Sequence, residues 1–207
     1  MLGAATAALD AVLRVVFPIP VATVVDLAFL AVASGGLHLD GLADATDGLF
    51  AGGDRERRLA AMRDSRTGAF GAVSVTLVLL LEFAALSVVA SGDRAIALIL
   101  AATLSRWAMS LAVWAFAAAR ALGLGAAFAR EVTVVDIVIA SATMGVIVGT
   151  VAPVLVGGTG VLVAGGLALG VGSFAVARVG GLTGDVYGAI GELVFACELA
   201  ALTTRGL

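Results

Sequence analysis

The sequence predicts an all-α, polytopic integral membrane bundle of about six to seven transmembrane helices. Three observations carry this. Of 207 residues, 61% are hydrophobic and only 13% charged, with a mean hydropathy of +1.15, which is more apolar surface than one soluble core of this length buries. The apolar residues fall into runs near the length that spans a bilayer. The arginines between the runs are distributed unevenly.

The runs cover 2–17, 21–37, 69–90, 95–119, 132–156, 160–177 and 186–203. The first is short, carries Asp10 and Arg14, and has no basic stretch before it of the kind that opens a cleavable signal peptide. Pro18 and Pro20 separate it from the second. Ser91-Gly92-Asp93-Arg94 follows the third run, Arg120 to Glu131 the fourth, Gly157-Gly158-Thr159-Gly160 interrupts the fifth and sixth, and Arg178-Val179-Gly180-Gly181 precedes the last. Alternating these runs across a bilayer puts Arg55, Arg57, Arg58, Arg63, Arg66, Arg120, Arg130 and Arg178 on one side, against Arg14, Arg94 and Arg205 on the other. The arginine-rich side is therefore expected to be cytoplasmic, in the cell inner membrane. Residues 1–207 form one domain on this reading, with 38–68 as its polar cytoplasmic loop. A net charge of −3 offers no case for nucleic-acid binding, and the single Cys197 excludes an intramolecular disulfide.

The polar residues concentrate where chemistry is expected. Asp40, Asp44 and Asp47 stand at i, i+4 and i+7; on a helix they share an arc of about 60°. Two carboxylates about 6 Å apart repel by roughly 3 kcal/mol at an effective dielectric of about 20, so a cation is needed. No His/Cys cluster accompanies them, which points to a hard, oxygen-seeking ion, Mg²⁺ or Mn²⁺. Downstream, Arg63 and Arg66 flank Asp64 and lead into Gly68-x-x-Gly71, where bare backbone could approach an anion. Arg55, Arg57 and Arg58 also read as a lipid-headgroup contact. The same alternation brings the distant Gly180-Gly181-Leu182-Thr183-Gly184-Asp185 to the face that carries the aspartates. Carboxylates, arginines and glycine backbone together are the equipment of phosphoryl transfer. Arg106 lies mid-run, where a charge costs about 2.5–3.5 kcal/mol on insertion scales and requires a bundle-facing partner or a phosphate-bearing substrate.

Asp44-x-x-Asp47-Gly48-x-x-Ala51 matches the first half of the signature of the CDP-alcohol phosphatidyltransferases, then departs at Gly52, where that signature has Arg. A closer likeness covers about residue 21 to the end. Gly35-Gly36-Leu37-His38-Leu39-Asp40-Gly41-Leu42-Ala43-Asp44, then Asp47-Gly48-Leu49, Met62-Arg63-Asp64-Ser65-Arg66-x-Gly68-x-x-Gly71 and Gly180-Gly181-Leu182-Thr183-Gly184-Asp185-x-x-Gly188-Ala189 resemble the cobalamin synthases, the adenosylcobinamide-GDP ribazoletransferases. That family also has an Arg at the place of Arg106. It begins with a further membrane segment bearing an Arg-x-Pro type motif, and this chain is expected to start after it. Where the family has a second acid soon after Glu192, this chain has Phe195, so Glu192 receives no role.

The resemblance implies a Mg²⁺-dependent membrane phosphotransferase. It would join α-ribazole, or its 5′-phosphate, to adenosylcobinamide-GDP and release GMP. On this reading Asp40, Asp44, Asp47 and Asp185 are metal ligands and Asp64 is the catalytic group acting on the attacking hydroxyl. His38, Arg63, Arg66, Gly68, Arg106, Thr183 and Gly184 bind substrate. The expected partners are those substrates and the lipid bilayer, with a homo-oligomer left open. The competing readings are another membrane phosphotransferase of the CDP-alcohol type and an ion-coupled transporter, whose acids would more often sit at mid-membrane on broken helices.

Overall fold

The computed structural model describes residues 1–120 and 124–204, and among them the chain is helical with no β-strand. The helices are α1 (Leu2–Val16), α2 (Ile19–Ala33), α3 (Leu37–Phe50), α4 (Arg55–Ala61), α5 (Ala69–Val88), α6 (Arg94–Ala115), α7 (Leu124–Glu131), α8 (Val134–Val151), α9 (Val154–Val179) and α10 (Gly184–Leu202). Arg205 lies outside the described residues.

Local chemistry sets the boundaries. Pro18 caps α2, where its missing N–H costs nothing, and Pro153 does the same for α9. Thr133 and Asp136 form a reciprocal capping box at the start of α8. Gly180 ends α9 with φ +77°, a conformation that L side chains avoid. Gly35 and Gly36, also at positive φ, turn the chain by 83° between α2 and α3. As a result α3 runs across one end of the bundle.

Each of the seven apolar runs contains a helix, but the break expected at Gly157-Gly158-Thr159-Gly160 lies instead at Ala152-Pro153, where proline cannot continue α8; the glycines sit inside α9. By length and composition α5, α6, α8 and α9 can each cross a membrane, and α2 with α3 adds a fifth only if the bent pair is taken as one span. At 15 residues, α1 and α2 are each about 22 Å long, short of a hydrocarbon core of about 30 Å. The 38–68 segment differs from the expected loop: it is largely helix, as α3 and α4. Its glycines and polar residues conceal the apolar period, and Leu42, Ala45 and Leu49 still make a buried stripe.

The bundle is organised around α10, which packs against α3, α5, α6 and α9. Val186, Ile190, Val194 and Leu199 are completely enclosed. Its apolar residues therefore point in every direction, as expected of a helix with neighbours all round. By contrast Leu77, Val138, Ile139 and Leu162 are exposed along α5, α8 and α9, where lipid is the compatible solvent.

At the end of the bundle away from α3, a buried ion network joins four helices. Arg94 at the start of α6 donates to Asp10 of α1 through Nε and Nη2 (2.9 and 2.6 Å), and through Nη2 to Asp26 and Thr23 of α2 (both 3.2 Å). Its Nη1 donates to the Leu86 carbonyl near the end of α5. Arg14 closes the set on Asp10 at 2.8 Å. Arg94, Asp10 and Asp26 are all fully buried, so the connecting-loop charge expected at Arg94 is a clamp inside the protein. Removing one partner of a buried pair leaves the other uncompensated, at a cost of about 3–5 kcal/mol. Asp10→Asn should therefore lower the thermal unfolding midpoint in detergent well below wild type; coincident unfolding curves would show that the network contributes nothing to stability.

Candidate active site

The site is built where α3 crosses the first turns of α10. Gly41 and Gly188 allow the crossing: a Cβ on Gly41 would come within 2.8 Å of the Asp185 carbonyl oxygen, and one on Gly188 within 3.1 Å of the Leu37 carbonyl. The sequence expectation that these two segments meet is met by direct backbone contact. Thr183 caps α10, its Oγ1 accepting from Val186 N–H at 3.4 Å and donating to Asp185 Oδ2 at 3.0 Å. Beside them, α7 approaches through Gly125, which packs on the Thr183–Gly184 backbone.

Between α3, α7 and the start of α10 lies a cleft of about 340 Å³, with Asp40, Asp185, Arg120, His38, Thr183 and Gly184 among its lining residues. Asp44 borders this group: burial, then the charges of Asp40, Asp185 and Asp47, push its carboxyl up to about 6, with Arg120 opposing. Three acids from α3 and one from α10 thus repel one another with one guanidinium facing them. Among the described residues no three acidic or histidine side chains already converge at ligating distances. The donor set, carboxylate oxygens with no Cys and with the one imidazole of the lining, His38, facing Arg106 through Nδ1, fits a hard divalent cation.

Asp47 has a distinct task. It accepts hydrogen bonds from Gly68 N–H (2.6 Å) and Gly71 N–H (2.9 Å), one on each oxygen, and so pins the start of α5 to α3. A Cβ on either glycine would run into that carboxylate. The bare backbone of Gly68-x-x-Gly71 therefore approaches an anion, as its composition suggests, but the anion belongs to the protein. Each Asp47 oxygen keeps a further lone pair.

The other expected residues divide. Asp64 and Arg66 form a two-point pair (3.0 and 2.8 Å) on an exposed turn. The Arg66 side chain, then its backbone N–H, holds Asp64 down to about 2. Neither they nor Arg63 line the cleft. Arg120 does, while its Nη2 donates to the Leu59 carbonyl; in the sequence it registers only as one more positive charge beside a span. Arg55 donates to the Val179 and Ala119 carbonyls (2.8 and 2.6 Å) and Arg58 to the Leu49 carbonyl (2.7 Å). Both stitch α4 to the bundle, which the lipid-headgroup reading does not provide for. Deeper, Arg106 Nη2 faces His38 Nδ1 at 3.4 Å, and Glu192 and Glu82 supply the opposing charge. Of the two offsets expected for the Arg106 charge, the structure displays the bundle-facing one. Glu82, a lone acid in an otherwise apolar run, was the available signal for this cluster.

A family model described as cobalamin-5-phosphate synthase matches residues 1–203. The chain belongs to the cobalamin-5-phosphate synthase family. It is accordingly a helical membrane transferase of cobalamin synthesis. An adenosylcobinamide-GDP ribazoletransferase of Desulforamulus reducens is 36% identical, over 84% of this chain and 69% of its own length. Proteins of the same name from Syntrophobacter fumaroxidans and Shigella boydii are 38% and 33% identical, covering 92% and 96% of this chain and 77% and 83% of their own. No solved structure matches.

In this family member the Asp47 contacts give a direct expectation. Hydrogen bonds to a charged group contribute about 1.5–3 kcal/mol each. Gly71→Ala drives a methyl into the carboxylate and should release residues 62–68. Tryptic cleavage after Arg63 and Arg66 is expected to accelerate about tenfold or more, and unchanged cleavage would mean that Asp47 does not hold the segment.

Proposed function

We propose that the chain transfers α-ribazole, or its 5′-phosphate, to adenosylcobinamide-GDP and releases GMP. The observation that carries this is the gathering of Asp40, Asp185 and Arg120 at one cleft, with Asp44 close enough to feel the charge of all three, in a member of this family. Asp40, Asp44 and Asp185 would hold Mg²⁺, or Mn²⁺ in its place, with Asp47 adding a lone pair while it anchors α5. When bound, the cation supplies charge neutralisation for the diphosphate and for the departing GMP oxygen. Arg120 presents a planar set of N–H donors to the phosphates. Thr183 and Gly184 shape the wall at the α10 N-terminus, where backbone N–H groups favour an anion. The ribazole hydroxyl forms its bond to the phosphorus nearer cobinamide as the bond to the GMP oxygen breaks.

Of the two expected arginines, Arg63 is the one whose charge acts on Arg120. Asp64 enters the reaction only if its pair with Arg66 opens, because a carboxylate held near 2 is a weak base at neutral pH. The cleft is assigned to the cytoplasmic side of the inner membrane on the arginine distribution.

Asp44→Asn preserves shape and removes one charge. GMP release should fall by more than about 100-fold, the equivalent of about 3 kcal/mol of transition-state stabilisation, in protein that still inserts into membranes. Asp54→Asn alters a helix cap that Asn fills equally well, so its activity should fall less than about tenfold. Wild-type GMP release by Asp44→Asn would overturn the site assignment.

Sidedness can be read from cysteines placed at Gly52 and Gly92, both with open space around their Cα, after Cys197→Ser. Gly52→Cys should resist an impermeant thiol reagent in intact cells and react in inverted vesicles, and Gly92→Cys should behave oppositely. Reversal of this pattern would place the cleft on the outer side.

A further inference from the structure

Near the end of α10 is an acid for which the bundle supplies no partner. Glu198 is 3% exposed and its Oε1 makes no hydrogen bond. Among the described residues it enters no ion pair. Its carboxylate lies against the bare backbone of α9: a Cβ on Gly160 would come within 2.9 Å of Glu198 Oε2 and 2.8 Å of Leu104 Cδ1. Beside it, between α9 and α10, is a cavity of about 130 Å³ with Thr159, Gly160, Glu198 and Thr204 among its lining residues. One water needs only about 10–15 Å³ measured in this way, so a small ion with part of its hydration shell has room. The place is remote from the proposed chemistry. Asp185 and Glu198 stand at opposite ends of α10, about 20 Å apart along the helix.

The surroundings have one sign. Thr159 Oγ1 donates to the Leu155 and Val156 carbonyls, both at 3.0 Å, and Thr204 Oγ1 donates to the Ala201 carbonyl at 2.8 Å. A hydroxyl has one proton, so with those bonds made neither threonine can donate to the carboxylate. The C-terminal end of α10, which closes at Leu202, adds the negative end of its helix dipole. No basic or second acidic side chain among the described residues lines the cavity. A buried carboxylate persists as a charge only when it is partnered, so here the partner has to bring the positive charge with it. One carboxylate matches one positive charge, whereas hard divalent ions draw on several oxygen ligands and commonly on more than one acid.

We infer that Glu198, with Thr204 and the C-terminal end of α10, holds a small monovalent cation in this cavity and thereby ties α10 to α9. The ion is an alkali metal or a primary ammonium, which share the size and charge that the site selects. The inference is independent of the proposed transfer reaction.

Thermal unfolding of the full chain in detergent tests it, with Mg²⁺ held constant and chloride salts compared at equal ionic strength. Sodium or methylammonium should raise the wild-type midpoint saturably relative to N-methylglucamine, which is too large for the cavity. The rise should reach about 3–6 °C at ten times the half-saturating concentration. A response to sodium alone identifies a metal ion, and one to methylammonium alone identifies an amine. Glu198→Gln should abolish the difference between the salts. Thr204→Val changes an exposed residue and should raise the half-saturating concentration about tenfold, the scale of one hydrogen bond to a charged group; it tests the site even if Glu198→Gln fails to fold. Equal midpoints for the wild type in all three salts would overturn the inference, leaving Glu198 as a protonated acid beside water. A salt response that survives unchanged in Glu198→Gln, or in Thr204→Val where Glu198→Gln does not fold, would overturn it as well.

Discussion

The close crossing of α3 over α10 is the contact on which the site depends. Lipid chains are as apolar as leucine, so helices in a bilayer gain little from hydrophobic burial and associate through close packing and polar contacts. Gly41 and Gly188 bring two backbones to distances that a methyl group would forbid. That approach places Asp40 and Asp44 beside Asp185, sets His38 above Arg106, and leaves α7 to form the cleft's outer wall.

Charge is distributed through the bundle in three tiers, and their balance differs. At the far end Arg94 is matched by Asp10 and Asp26, with Arg14 completing the set. Midway, one guanidinium faces two glutamates. At the cleft Asp40 and Asp185, with Asp44 bordering them, face Arg120, and the surplus is negative. Buried charges persist in a low-dielectric interior only when partnered, so the first tier reads as architecture and the last as a place prepared for a cation and a polyanion. The middle tier connects them through His38, which belongs both to the buried cluster and to the cleft lining.

Much was legible in the sequence by itself. Composition fixes the solvent, because a chain this apolar cannot hide its surface from water. Run length, proline and capping residues mark the helices, since these signals act within a few residues; glycine alone misleads at Gly157-Gly158-Thr159-Gly160, which α9 carries through as helix. The three uncommon, ordered blocks around Asp40, Asp64 and Thr183 indicated the family and the candidate residues. Tertiary structure decided how those residues are used. Spacing at i, i+4 and i+7 puts Asp40, Asp44 and Asp47 on one face, but the neighbours of that face determine that the first two meet α10 while Asp47 turns to the Gly68 and Gly71 amides. Arg120 reaches the cleft and Arg66 pairs with Asp64 for the same reason: the direction of a long side chain depends on which helices flank it. Glu82, Arg106 and Glu192 stand on separate helices and become a cluster only through packing, because contacts across a bundle have no fixed interval along the chain.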